Sequence, residues 1–364
     1  MTLGLYILRR HLRGLAIALV AALALVLIGH LVELTGNEPA DPTQGAPVVT
    51  MALLFAPSIL SETFPFIVLL GSLAAFLGLA RTSEMVVLRA AGLSVWRILR
   101  VPLVAAAVLG CVAFGIWNPI AASALSRYEV LDARFFDGEE SLLSISAEGL
   151  WLRQSGTEGQ TVINATRAAP DGRELIGVQV FEFDREDRLA RRLSARRAVL
   201  TDGAWQVEDA RIWRFDSDLS MLRGEEAAQV SIQTDLTSNQ ILESFADPEE
   251  LSFWDLPRFI ATLEASGFSS VRHRLYQQTE LARPLMFAAM VLIAAGFSLR
   301  HVRFGSVGVQ VLLCVIAGFA IFFLSDFTQA LGAAGTIPVV LAAWVPPLAA
   351  LMFAASLLLH LEDG

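Results

Sequence analysis

Six runs of apolar residues, each long enough to cross a bilayer, constrain this chain more than any other feature. They fall at roughly Leu15–Val32, Pro57–Ala80, Val101–Ala122, Leu281–Leu299, Val307–Leu324 and Ile337–Leu361. A helix needs about 17–25 such residues to span the hydrocarbon. The third and fourth runs are separated by about 160 residues of ordinary soluble composition. The plan is therefore three helices, an inserted globular domain and three more helices. Composition agrees: 55% of the 364 residues are hydrophobic and 17% are charged, with a mean hydropathy of +0.57, far too apolar for a soluble protein. Arg9, Arg10 and Arg13 ahead of the first run raise the question of a signal peptide. The run exceeds the roughly 7–15 residues of a signal's apolar core, and His30–Glu33 offers no small-residue cleavage site. It is read as a retained helix.

Orientation rests on arginine, because all 27 basic residues are Arg. Arg9, Arg10 and Arg13 precede the first run, Arg81, Arg89, Arg97 and Arg100 follow the second, and Arg300 and Arg303 follow the fourth. The connections at 34–56 and 332–336 carry no base. Basic loops stay cytoplasmic, so both termini are expected there and the inserted domain on the far side. Between Ser123 and Glu280 stand 17 Arg against 28 acids; the remainder has 10 Arg against 8 acids. An acidic exported domain argues against a nucleic-acid partner.

The missing lysine also removes a P-loop and any Schiff base. Cys111 and Cys314 lie inside apolar runs and read as packing residues. The five histidines, His11, His30, His273, His301 and His360, show no metal-ligand spacing. No G-x-S-x-G, H-E-x-x-H or C-x-x-C is present. The chain is expected to be neither an enzyme nor the holder of a cofactor of its own. Charges within or beside the runs remain, costly in lipid and normally turned to a bundle interior or cavity: His30, Glu33, Glu62, Arg283 and Asp326. All are read toward the exported side, with none at the membrane's middle. That suits a chamber open to the far leaflet, or simple interfacial anchoring, and disfavours a proton-relay transporter with midplane carboxylates.

One loop carries more structure than a turn needs. Arg81–Arg100, RTSEMVVLRAAGLSVWRILR, holds a helix over about 83–92, with Ser83 as N-cap, Glu84 in the first turn and Gly92 as the stop. From Ser141 to Phe245 apolar and polar residues alternate, as in TVINATR, GVQVFEFD and WQVEDARIWRF. This predicts short antiparallel strands in a sandwich or open barrel. Turns are marked at Pro170–Gly172 and at Asp202-Gly203, the latter a hairpin. Arg191–Arg197, RRLSARR, reads as a solvated strand face. PEELSFWDLPRFIATLEASG predicts one amphipathic helix capped by Ser252 and stopped at Gly267, with Phe253, Leu256, Phe259, Ile260 and Leu263 on its apolar face. Ser270 is the expected cap of the helix entering the fourth run.

These stretches carry a family resemblance. SETFPFIVLLGSLAAFLGLARTSEMVVLRAAGLS, EGLWLRQSG with TVINATR, and RPLMFAAMVLIAAGFSL with GSVGVQVLLCVIAGFAIFFLSD resemble the LptF/LptG permeases of the lipopolysaccharide-export ABC transporter, the LptG branch more closely. The resemblance implies an α-helical membrane protein of six transmembrane helices (3+3) with an inserted antiparallel, β-jellyroll-like periplasmic domain. Residues 1–122 would form helices one to three with a coupling helix at about 83–92, residues 123–270 the periplasmic domain and connector helix, and residues 271–364 the last three helices.

It also implies a permease of the bacterial inner membrane. Lipopolysaccharide would enter from the outer leaflet through gates at spans one and five and pass to a periplasmic bridge. The implied partners are a paralogous LptF-like permease, an LptB-like cytoplasmic ATPase dimer that binds the ATP and Mg, a single-span LptC-like protein and an LptA-like bridge, besides lipopolysaccharide and membrane lipids. Ser83, Glu84, Met85, Val86, Leu88, Arg89 and Gly92 would form the ATPase-coupling element, with Glu84 pairing with the ATPase or complementing the helix dipole. Where related chains carry lysines at the outer end of span one, this chain has His30 and Glu33. Lipid A phosphates are then expected at Arg127, Arg134, Arg272, Arg274 or Arg283, with Asp326 completing the substrate candidates. Interfacial anchoring is the other reading of these arginines, and a membrane-anchored assembly protein with a partner-binding β-domain is the alternative function.

Overall fold

All six apolar runs form helices, and most of these helices outrun the apolar stretch that predicts them. The computed structural model describes residues 2–36, 47–82, 84–132, 135–136, 143–146, 149–156, 159–168, 174–184, 188–201, 203–215, 221–234, 247–265, 269–298 and 307–362. Its helices are α1 (Thr2–Gly36), α2 (Val48–Arg81), α3 (Glu84–Ala90), α4 (Val95–Val112), α5 (Asn118–Asp132), α6 (Leu256–Ala265), α7 (Val271–Ser298), α8 (Val307–Ala333) and α9 (Val339–Glu362). A π-helical turn, Ala113–Trp117, makes α4 and α5 one continuous span. Among the described residues six helices are thus long and apolar enough to cross a membrane. The chain divides into a membrane unit (Met1–Asp137, Pro248–Leu256 and Val271–Gly364) and a β unit (Gly138–Asp247 and Pro257–Ser270).

In the membrane unit the spans differ sharply in burial. Of the most apolar window, 67% is buried in α7 but only 22% in α8 and 11% in α1. From Ala289 to Ala295 no residue of α7 exceeds 3% exposure, so this helix is apolar on every side and forms the centre of the bundle. Helix α1 lies against α2 through a glycine contact: a Cβ on Gly71 would stand 2.8 Å from the Leu15 Cα, which fixes how closely the two backbones approach. Helix length also corrects one expectation. Glu62 and Arg283, read toward the exported ends of their runs, fall near the middle of α2 and α7, because α2 begins earlier with the mostly apolar Val48–Ala56 and α7 with the polar Val271–Glu280.

The β unit contains β1 (Leu143–Ser146), β2 (Gly149–Gly156), β3 (Gly159–Ala168), β4 (Glu174–Phe183), β5 (Leu189–Thr201), β6 (Ala204–Phe215) and β7 (Met221–Gln233). They form one antiparallel sheet of seven strands in sequential order. The inserted antiparallel domain is as expected, and its described strands pair neighbour to neighbour throughout. One sheet encloses a core because three adjacent strands bend together. Leu175 and Val178, Ala195 and Ala198, and Val207 and Ala210 are buried pairs three residues apart, where strict alternation would place each pair on opposite faces. Gly177 (φ +67°) and Asp209 (φ +53°) lie on this line, and residues from both sides of it share a core with Leu193, Trp205 and Ile232.

The predicted hairpin joins β5 to β6, with Thr201 opposite Ala204 and Gly203 at φ +77°. Asp202 and Pro170–Gly172 lie outside the described residues. The Arg191–Arg197 face is laced across strands: Arg191 pairs with Glu182 at 2.6 Å, Arg197 with Glu174 at 2.7 Å, and Arg192 stacks over Phe181 and Trp213.

The single helix predicted over Pro248–Gly267 is broken. A 3-10 turn at Pro248–Glu250 comes first, and α6 begins only at Leu256, where Ser252 O accepts the amides of Asp255 and Leu256. Pro257 in the first turn suits that late start. Phe253 packs on Phe114 at 5.0 Å in the membrane unit, whereas Leu263 belongs to the β core. The Ser270 hydroxyl donates to the Glu264 carboxylate, and Gly267 lies outside the described residues.

Candidate functional site

Helix α3 has seven residues, too few to persist alone, and it is held at both ends. At its C-terminus Gly92 takes φ +80°, a conformation that penalises any Cβ, and completes a double closure. The Leu93 amide donates to Leu88 O at 3.2 Å and the Gly92 amide to Arg89 O at 2.9 Å. At its N-terminus Glu84 accepts three side-chain hydrogen bonds: from Tyr6 Oη at 2.7 Å, Arg10 Nη1 at 2.8 Å and Thr82 Oγ1 at 2.7 Å. These donors, Tyr6 foremost, hold the Glu84 carboxyl below its ordinary value of 4.5. Glu84 is therefore engaged within the chain, a role its position at the helix start did not reveal. Met85 is buried and Leu88 is half-buried in the membrane core, while Val86 and Val87 are 62% and 66% exposed and Arg89 is exposed beside them. Ser83 lies outside the described residues.

A second polar constellation occupies the bundle interior. Helices α2, α7, α8 and α9 surround a cavity of about 300 Å³ whose wall includes Glu62, Glu280, Arg283 and Asp326. Three of these helices carry a proline there, Pro65, Pro284 and Pro347. Proline has no N–H, so the carbonyls four residues earlier lose their helical donor. Those residues are Ser61, Glu280 and Ala343, and all three line the cavity. Glu280 is fully buried and pairs with Arg283 one turn on, itself 13% exposed. A carboxylate at such depth requires a cation beside it.

The cavity wall continues into the π-turn. Asn118 Nδ2 donates to Tyr276 Oη at 2.7 Å, Asn118 Oδ1 accepts the Phe253 amide at 2.7 Å, and Trp254 Nε1 donates to Gly115 O at 3.0 Å. Trp117 Nε1 reaches Ser61 Oγ at 3.0 Å. The extra residue of a π-turn leaves carbonyls that need such outside donors.

Of the substrate candidates, Arg283 and Asp326 meet at this cavity and the others do not. His30 is buried, stacked on Phe55 at 4.2 Å and 3.2 Å from Glu33, in a separate cluster with Leu34, Met51 and Tyr128. Glu33, Arg127, Arg272 and Arg274 are exposed along their helices, and Arg134 lies outside the described residues. Glu280 and Tyr276 were not singled out from the sequence. The available signal was the three-residue spacing of Glu280 and Arg283, hidden because that stretch reads as soluble.

The model of the lipopolysaccharide export system permease LptF/LptG family matches residues 5–360. The chain belongs to that family. Similar relatives include the lipopolysaccharide export system permease protein LptG of Escherichia coli K12 and of E. coli O6:H1 strain CFT073. Each is 28% identical over 308 residues, covering 81% of this chain and 80% of the relative. LptG of Haemophilus influenzae Rd is 24% identical over 306 residues, with the same coverage. An LptF/LptG permease with six bilayer-length helices is a multi-pass protein of the inner membrane. Membership favours a transport role over the anchored assembly protein.

Proposed function

We propose that this permease is the LptG-like half of an ATP-driven lipopolysaccharide exporter. Both termini and α3 face the cytoplasm, where the short-loop arginines gather, and the acidic β unit faces the periplasm. An LptF-like paralogue covers the least buried spans, α1 and α8, and lipopolysaccharide enters laterally beside them from the outer leaflet. An LptB-like ATPase dimer binds ATP and Mg and docks on α3. The β unit passes the lipid, with an LptC-like partner, to an LptA-like bridge. Phosphates of the lipid meet Arg283 at the cavity and Arg127, Arg134, Arg272 and Arg274 on the outer side, since Arg matches phosphate oxygens in a fork.

The observation that carries this reading is α3 itself. A helix closed at both ends, rooted by Met85 and Leu88 and presenting Val86 and Val87 outward, is a rigid knob for an apolar groove. Coexpression with the companion subunits tests it. The wild-type chain is expected to copurify a nucleotide-binding subunit in fixed stoichiometry, and the Val86→Asp, Val87→Asp double variant to lose it while remaining folded. A wild-type chain that brings down no such subunit refutes the reading.

A further inference from the structure

We infer that the ATPase stroke received by α3 is delivered to α1 through a side-chain strap in which Tyr6 and Arg10 hold Glu84; the inference rests on α3 being the docking element.

The geometry sets two elements in direct connection across a long stretch of sequence. Tyr6 and Arg10 stand one turn apart on α1, linked by a 2.7 Å hydrogen bond from Arg10 to the Tyr6 hydroxyl. Both donate to one carboxylate at the head of α3, and Thr82, the last residue before the turn into α3, donates to the same oxygen as Arg10. Glu84 is thereby gripped from two helices at once. The grip matters because α1 is otherwise held chiefly by packing: 11% of its apolar window is buried, and it lies along α2, with a close crossing at Gly14–Gly71, and meets α4 where Gly4 faces Val101. Helix α3 is joined covalently to α2 and α4 only. Without the strap, tilting of α3 reaches α1 only through side-chain packing along α2 and α4. With it, α1 follows α3 at its cytoplasmic end. Tyr6 and Arg10 are positioning residues in this scheme, since neither needs to touch the ATPase or the lipid.

The test uses the complete transporter, with both permeases and the ATPase, reconstituted in liposomes containing lipopolysaccharide. ATP hydrolysis and lipid release are measured together. Tyr6→Phe and Arg10→Gln leave Glu84 in place, so they separate the strap from any contact Glu84 makes with the ATPase. The expected result is normal copurification and hydrolysis with lipid released per ATP lowered roughly fivefold in Arg10→Gln, the scale of one ion pair with its companion hydrogen bonds. Arg10→Lys restores most of the loss. An unchanged release ratio in both Tyr6→Phe and Arg10→Gln overturns the strap, as does a proportional fall of hydrolysis and release. A wild-type chain that binds no ATPase overturns the docking reading first, and is recognised by copurification alone.

Discussion

Two carboxylate–arginine pairs lie in the same membrane unit and are built on opposite terms. Glu280 and Arg283 sit one turn apart on α7, the carboxylate fully buried. Glu84 and Arg10 lie on different helices with side chains 32% and 25% exposed. Burial makes the first pair a matter of stability, because a lone charge left inside the bundle has no water to turn to. Exposure makes the second weak as an energy source, so its worth lies in what it connects. The contrast separates a pair whose loss costs the fold from a pair whose loss costs a connection between helices.

Unpairing the buried ion should have the largest effect. Arg283→Met is expected to lower stability by about 3–5 kcal/mol, read as a large fall in melting temperature in detergent, and Arg283→Met with Glu280→Leu to recover most of it. A mild effect of the single change would mean that Glu280 is not held as a charge. Next in size is Asn118→Leu, which strands the Phe253 amide and the Tyr276 hydroxyl together. Two buried polar groups without partners cost roughly 2–4 kcal/mol, again measured by thermal unfolding.

Gly92→Val forces a branched side chain into φ +80° and should cost about 1–2 kcal/mol, felt locally. Faster hydrogen exchange of the amides at Gly92 and Leu93, with the global melting point nearly unchanged, is the expected signature. The smallest effect belongs to Glu84. Its carboxyl is held below 4.5, so the strap's contribution is complete above that value and disappears as pH falls through the lowered one. Protection of the α3 amides, taken relative to the intrinsic exchange rate at each pH, should be flat from neutral pH down to about 4.5 and fall below it, and Glu84→Gln should abolish that pH dependence.

The same contrast explains what the sequence disclosed. Spanning helices were legible because lipid tolerates little else over 17–25 residues. Their ends were legible only where a local signal stands: Ser270 marked the start of α7 at Val271, whereas nothing marked that α2 begins at Val48, well before its predicted run. Gly92 announced the end of α3 because the signal is local. The partners of Glu84 gave no such signal: Tyr6 and Arg10 lie 78 and 74 residues away and only folding brings them together. Arg283 and Asp326 stood out as charges in apolar runs, but Glu280 did not. In the β unit alternation revealed the strands and concealed the bend at Gly177 and Asp209, which depends on backbone conformations that no periodicity records.

On the proposed function, this chain moves lipopolysaccharide at the expense of ATP hydrolysed on another subunit. The most direct measurement is lipid release from proteoliposomes carrying the purified complex, with and without ATP, and with the Val86→Asp, Val87→Asp variant beside the wild type. Release that requires ATP and disappears in the variant is the predicted result. Release that proceeds equally without ATP, or that survives loss of the ATPase, contradicts it.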